Sequence, residues 1–156
     1  MSLVEIAFLL AAAAAVATAL PRCSGAPHAR VVRASWRLTP GVLNPDVTEA
    51  TIGATICRRG WTRTIRPPVS YTNELKQHGL LQYGLRGPPS AYQEDHLISL
   101  ELGGNPVDPR NLWPEPYPRA ANVDTMENEL NALVCAGRLS LVEGQRRESA
   151  LKHADG

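Results

Sequence analysis

Apolar and polar positions follow several different periods along this chain. Ile6 to Leu20 is a predominantly apolar run without a charge. Residues 20–40 are rich in Pro, Arg and Ala, show no period, and read as a linker. The domain is predicted to begin near Thr39-Pro40-Gly41. Asn44-Pro45 has the form of an N-cap and first helical residue, and Val47, Ala50, Thr51 and Ala54 follow as a helical stripe up to Cys57. Trp61 to Ile65 reads as extended, and Arg66-Pro67-Pro68 as an extended turn. Thr72 is placed to cap a second helix through Leu75, Leu80 and Leu81, with Gly79 its weak point. Leu85 to Pro89 is a loop. A hairpin is predicted next, with a first strand over Tyr92–Leu100, a loop from Gly103 to Arg110, and a second short strand over Asn111–Trp113 stopped by Pro114-Glu115-Pro116. A helix from Arg119 to Ala136 follows, its apolar stripe formed by Met126, Leu130, Leu133 and Val134, with Gly137 just past its end. Ser140 and Glu143 form a capping box that opens a last short helix. The polar tail over 151–156 is expected to fray, and no internal repeat is visible.

These boundaries give a leader over 1–20, a linker over 21–38, one domain over 39–150 and a disordered tail over 151–156. The first run is short for a membrane span, which takes about 20 residues. With the A-x-A pattern at Ala17-Thr18-Ala19 it reads as a signal peptide. The segment before it lacks Lys and Arg and carries Glu5, so an uncleaved anchor is the alternative. Cys23 lies in a poor context for lipid attachment, because Leu20-Pro21-Arg22 precede it. Export predicts a secreted or periplasmic protein with no stable membrane association once the leader is removed. The three cysteines fit no zinc pattern. In an oxidising compartment Cys57 and Cys135 are candidates for one disulfide, and in the cytosol they would be two buried thiols.

The net charge of +1, from 16 basic and 15 acidic residues, argues against tight nonspecific binding of nucleic acid. Arg58, Arg59, Arg63 and Arg66 nevertheless cluster, and could track a phosphate backbone or form a solvated face. The chemistry concentrates on the hairpin, where Asp95-His96 lies at the edge of an apolar run. Phosphodiester hydrolysis needs an activated water, charge neutralisation at the phosphate and help for the leaving oxygen. A divalent cation can supply the last two, and a neutral imidazole the first. On a regular strand the Asp95 and His96 side chains point to opposite faces, so they converge only where the strand ends or bends.

Glu94-Asp95-His96-(x)4-Glu101-Leu102-Gly103-Gly104-(x)6-Asn111-Leu112 resembles the core of the HNH, or ββα-metal, endonucleases. Thr55-Ile56-Cys57, Gly60 to Pro68, Asn111 to Pro116 and Val134 to Gly137 are similar to a subgroup of small exported bacterial HNH endonuclease-like proteins, so that the resemblance covers roughly 40–145. It implies an α+β fold, with a ββα-metal hairpin-plus-helix core and additional flanking helices. It implies His96 as general base, Asp95 as metal ligand and Asn111 as the residue that ties the loop. Asn122 is the first choice for a helix metal ligand, with Asp124 the alternative. Glu101 is expected to support the site, by orienting His96 or a ligand. Arg110 and Arg119 flank the site and are candidate phosphate contacts, as are Arg63 and Arg66; Arg110 has Asp108 and Glu115 as alternative partners. Oxygen ligands suit Mg²⁺ or Mn²⁺ better than Zn²⁺. The second His of the family's name is missing, as are the cysteine pairs of a structural zinc, and Val123 stands where a Lys is expected beside Asp124.

The expected activity is metal-dependent cleavage of nucleic acid, DNA rather than RNA, with low sequence specificity. The alternatives are a catalytically silent exported binding module on the same scaffold and an antibacterial nuclease toxin with an immunity partner. Trp61 and Trp113 could stack on bases but suit a small core better, and His78 is expected to be exposed and inert.

Overall fold

Two short strands carry the centre of the molecule. The computed structural model describes residues 31–154, so the leader, Cys23, the first part of the linker and the last two tail residues lie outside the described residues. Strand β1 (Tyr92–His96) pairs antiparallel with β2 (Leu112–Pro116), in a register that sets Asp95 opposite Trp113 and His96 opposite Leu112. Four helices accompany them among the described residues: α1 (Trp61–Ile65), α2 (Val69–Gln82), α3 (Arg119–Cys135) and α4 (Leu141–Ala154). The class is mixed α+β. None of these helices is long and apolar enough to cross a membrane.

Strand β1 is shorter than predicted because Asn111 intervenes. After His96, the Leu97 N–H bonds the Asn111 carbonyl at 2.8 Å. The Asn111 side chain then takes over, accepting from the Ile98 N–H and donating to the Ile98 carbonyl, both at 3.0 Å. An amide side chain thus imitates one more residue of ladder, and the backbone turns into a 3₁₀ turn at Leu100–Leu102. Strand β2 is longer than predicted and contains Pro114. A two-stranded sheet leaves one edge of each strand unpaired, and a proline is tolerated there.

Helix α2 packs on both strands. Gly79, the predicted weak point, is where it comes closest. A Cβ there would lie 2.9 Å from the Pro114 ring, so only glycine permits the approach. The helix starts at Val69, earlier than Thr72, because Pro68 already sits just before the first turn.

The segment before α1 departs most from expectation. No helix spans 44–57; turns and a single 3₁₀ turn at Ile52–Ala54 replace it. Asn44 accepts from the Asp46 N–H at 3.0 Å, and the Thr51 hydroxyl bonds the Asp46 carbonyl at 2.8 Å. Short polar side chains here take up the groups a helix would have used. Trp61–Ile65, expected to be extended, is the helix α1, because Trp61 packs against the core beside Ile52 and Cys57 and this tertiary contact outweighs a weak local preference. The core itself joins Val47, Ile56, Ile98, Leu102, Leu130, Val134 and Leu141. Trp113 is fully buried with Leu97 and Ala34, a core residue rather than a base-stacking one. His78 is exposed, as expected.

Both predicted domain ends move outward. Ala34, in the predicted linker, is buried, and its N–H bonds the Lys152 carbonyl at 3.1 Å. Residues 151–154 do not fray. They form the last turn of α4, with Lys152 and His153 buried and His153 stacked on Trp36 at 3.5 Å between ring centroids. Ser140 caps α4 by accepting from the Glu143 N–H at 3.2 Å, while the Glu143 carboxylate turns to Arg146 and Arg147. Cys57 and Cys135 form a disulfide across a sequence separation of 78. Closing a loop of that length contributes about 4.5 kcal/mol in the chain-entropy account.

Candidate active site

A cleft of about 280 Å³ opens where β1 ends, walled by Asp95, His96 and Glu101 on one side and by Asp124, Glu127 and Asn128 of α3 on the other. Asp95 and His96 both reach it because the strand stops at His96.

The His96 ring is oriented from behind. Its Nε2 lies 3.1 Å from the Pro106 carbonyl oxygen. A carbonyl only accepts, so Nε2 carries the hydrogen and the neutral ring has its lone pair on Nδ1. Among the described residues Nδ1 has no hydrogen-bond partner, and it is not one of the sealed, unpartnered polar atoms. Burial pushes the imidazole below its ordinary range, helped by Arg66 and Lys152 and opposed by Pro106 and Asp95. At neutral pH this is an unprotonated base. Glu101 lines the cleft but makes no hydrogen bond to His96; the Pro106 carbonyl does the orienting expected of it.

Asp95 is held by a lysine. Its Oδ2 accepts from Lys152 Nζ at 2.8 Å, and its Oδ1 has only a long contact of 3.4 Å from Gln93. Burial acts to raise the Asp95 carboxyl, but the Lys152 charge and hydrogen bond, with His96, outweigh it, so it stays below the usual carboxylate range. Around this pair sit further acids, Glu115, Glu127 and Glu148 buried and Glu94 half-buried. Burial pushes Glu127 up to about 9, and Glu94 and Glu115 up to about 8 each. Glu148 is also raised by burial. Burial works against the Lys152 charge as well, and Asp95, Glu148 and Glu127 more than offset it.

Helix α3 turns one of the two candidate residues to the cleft. Asn122 and Asp124 lie about 200° apart around a helix, so both cannot face one cleft. Asp124 lines it, whereas Asn122 is exposed and does not. Asn111 has the structural role expected of it: fully buried, it also accepts from the Val42 N–H at 3.4 Å and donates to the Asn105 carbonyl at 3.0 Å. Of the four arginines singled out, Arg66 lines the cleft and is exposed. Arg63 is exposed elsewhere on α1. Arg110 is paired with Asp108 at 2.7 Å. The Arg119 Nε is buried without a partner, and Arg119 does not line the cleft.

No three His, Cys, Asp or Glu side chains among the described residues are grouped closely enough to hold a metal ion by themselves. Besides His96, the residues that line the cleft bring oxygen donors, the Asp95, Asp124 and Glu127 carboxyls and the Asn128 side-chain amide. Mg²⁺ and Mn²⁺ fit such a set, since Mg²⁺ keeps several waters and takes one or two carboxylates together with substrate phosphate. Zn²⁺, which favours nitrogen and sulfur ligands, suits the set less well, since one imidazole stands among the oxygen donors.

Nothing in the sequence pattern marks Lys152, Glu115 or Glu148 as part of the site. The one local signal is the spacing of Glu148 and Lys152, one turn apart on α4. Comparison with protein-family models, curated proteins and solved structures returns no match.

Glu115 yields a pH test. It is fully buried and neither oxygen has a hydrogen-bond partner. Its folded value of about 8 lies above the ordinary 4.5. The stability tied to its protonated form is therefore complete below pH 4.5 and lost as pH rises through 8. Glu115→Gln, neutral throughout, should unfold at higher urea than wild type at pH 8. The gain should be a few kcal/mol at most, since a tenfold change in proton affinity corresponds to about 1.4 kcal/mol. An unchanged or lower midpoint at pH 8 would mean that Glu115 is ionised in the fold.

Proposed function

We propose that this protein is a divalent-metal-dependent nuclease of the ββα-metal (HNH) type, acting on nucleic acid with little sequence preference. The observation that carries the reading is the His96 ring, fixed through Nε2 on the Pro106 carbonyl with Nδ1 left open. The order strand, loop, strand, helix supports it, because it brings Asp95, His96 and Asp124 to one cleft and puts Asn111 across the loop.

Asp95 and Asp124 would hold the cation, with water and a substrate phosphate completing its shell. When bound, it would supply charge neutralisation at the scissile phosphate and at the leaving oxygen. The chain's own residues do the rest. His96 Nδ1 takes a proton from the attacking water, while Nε2 stays on the Pro106 carbonyl and the neighbouring Asp95 carboxylate favours the imidazolium that forms. Arg66, at the rim, contacts a phosphate oxygen. DNA is the preferred substrate over RNA in this reading, and the Cys57–Cys135 disulfide supports export to an oxidising compartment.

The runner-up is a catalytically silent binding module on the same scaffold. One observation favours it: Asp95 Oδ2 and Glu127 Oε1 are already committed to Lys152.

Plasmid nicking by the disulfide-intact protein in Mg²⁺, Mn²⁺, Zn²⁺ or EDTA separates the two. Cleavage is expected with Mg²⁺ or Mn²⁺ and none with EDTA. Asp124→Asn should raise the Mg²⁺ concentration for half-maximal cleavage at least tenfold, and Asn122→Ala should leave it within twofold. A folded protein inert with all three metals would move the reading to the binding module.

A further inference from the structure

Lys152 is fully buried in the last turn of α4. It cannot touch a substrate. Its ammonium has three N–H donors, and each is taken: Asp95 Oδ2 at 2.8 Å, Glu127 Oε1 at 2.6 Å and the His96 carbonyl oxygen at 2.5 Å. Glu148 Oε1 stands farther off, at 3.4 Å. Two of the three bonds fall on a single dipeptide, one on the side chain of Asp95 and one on the backbone of His96.

That arrangement is more specific than packing requires. Burying an ammonium is costly unless paired charge and hydrogen bonds offset the lost hydration. A hydrophobic residue would fill the same space without that cost. What it could not do is hold one carboxylate oxygen and the adjoining carbonyl in fixed positions. With Oδ2 held, Oδ1 is the Asp95 oxygen left for the cleft. With the His96 carbonyl held by Lys152 and Nε2 on Pro106, the residue is anchored once through its backbone and once through its ring.

We propose that Lys152 is a positioning residue, which locks the Asp95–His96 dipeptide so that one carboxylate oxygen and one imidazole nitrogen are presented together. Its consequence for rate rests on the nuclease reading; its consequence for His96 does not. The last turn of α4 is thereby part of the site, although it forms no wall of the cleft.

Lys152→Met, near in shape and without the ammonium, tests this in the full chain with its disulfide intact. A thermal melt first establishes cooperative folding. Imidazole ¹⁵N NMR, with His96 assigned by loss of its signals in His96→Gln, is the first readout. Wild type should show a neutral ring with hydrogen on Nε2. In Lys152→Met the His96 signals should shift or broaden, while those of the exposed His78 stay in place. A double-mutant cycle with Asp95→Asn is the second readout. Lys152→Met should lower kcat 10- to 100-fold with KM for DNA within twofold, and less than threefold further when Asp95→Asn is already present. A folded variant with the wild-type His96 spectrum, or effects that multiply in the cycle, would overturn the proposal. If Lys152→Met does not melt cooperatively, Lys152→Gln, which keeps N–H donors without the charge, is judged by the same criteria. A wild-type protein that cleaves nothing would end the nuclease reading, and the His96 spectrum would still decide the role of Lys152.

Discussion

His96→Ala is expected to lower metal-dependent cleavage by about 10²- to 10⁴-fold, the usual contribution of a positioned general base. The variant removes the one ring in the cleft that carries a free nitrogen, and no other imidazole lines that cleft. The pH dependence should follow the same group. Burial sets its pKa below 6.5, so cleavage by the wild type should hold its level down to about pH 6.5 and fall as acid protonates Nδ1. The lowered pKa bears on stability too. A folded value below the unfolded one means that the stability tied to the neutral ring is complete above pH 6.5 and is lost as pH falls through the folded value. Initial rates from pH 5 to 9 for wild type and variant check the catalytic role, and urea midpoints of the wild type over the same range check the stability. A residual activity in His96→Ala with the wild-type acid limb would place the base elsewhere.

Asn111 carries the second large effect, on stability. Its side chain accepts from Ile98 N–H at 3.0 Å and Val42 N–H at 3.4 Å, and donates to the Ile98 and Asn105 carbonyls, both at 3.0 Å. It is fully buried, so water does not replace it. Each buried group left unpaired costs about 1–3 kcal/mol. Asn111→Ala should therefore destabilise by at least about 3 kcal/mol. Asn111→Asp is the sharper test, because it preserves shape but turns an acceptor toward two carbonyl oxygens. It should destabilise at least as much as alanine at pH 7. Urea unfolding of both variants measures this, and an Asn111→Asp stability within about 1 kcal/mol of wild type would remove the loop-tying role. Gly104 explains why the loop has no slack to adapt: a Cβ there would overlap the Ile98 carbonyl and lie 2.7 Å from Asn111 Nδ2.

By itself the sequence determined the elements whose signals are local. Helix α3 was legible over nearly its full length, α2 and α4 in their presence, the hairpin in its order, and Cys57 and Cys135 as partners. Caps, apolar periods and turn residues act over a few positions, so they can be read without knowing the fold. The Asp95–His96 pair was legible as two polar residues at the edge of an apolar run, whereas the loop-tying role of Asn111 came from the resemblance and not from a local signal.

The tertiary structure decided the rest. Between 44 and 65 the backbone follows threonine and asparagine side-chain bonds and the packing of Trp61, and a stripe of apolar positions misreads both. That Asp124 and not Asn122 lines the cleft depends on the rotation of α3 against the hairpin, which buries Val123 and turns its neighbours to opposite sides. Lys152 lies 57 residues from Asp95, and Glu127 lies 25 residues from Lys152. No local pattern connects groups so far apart. Their meeting depends on how α4 packs against α3 and the end of β1, where burial leaves a charge no partner but the one the fold supplies.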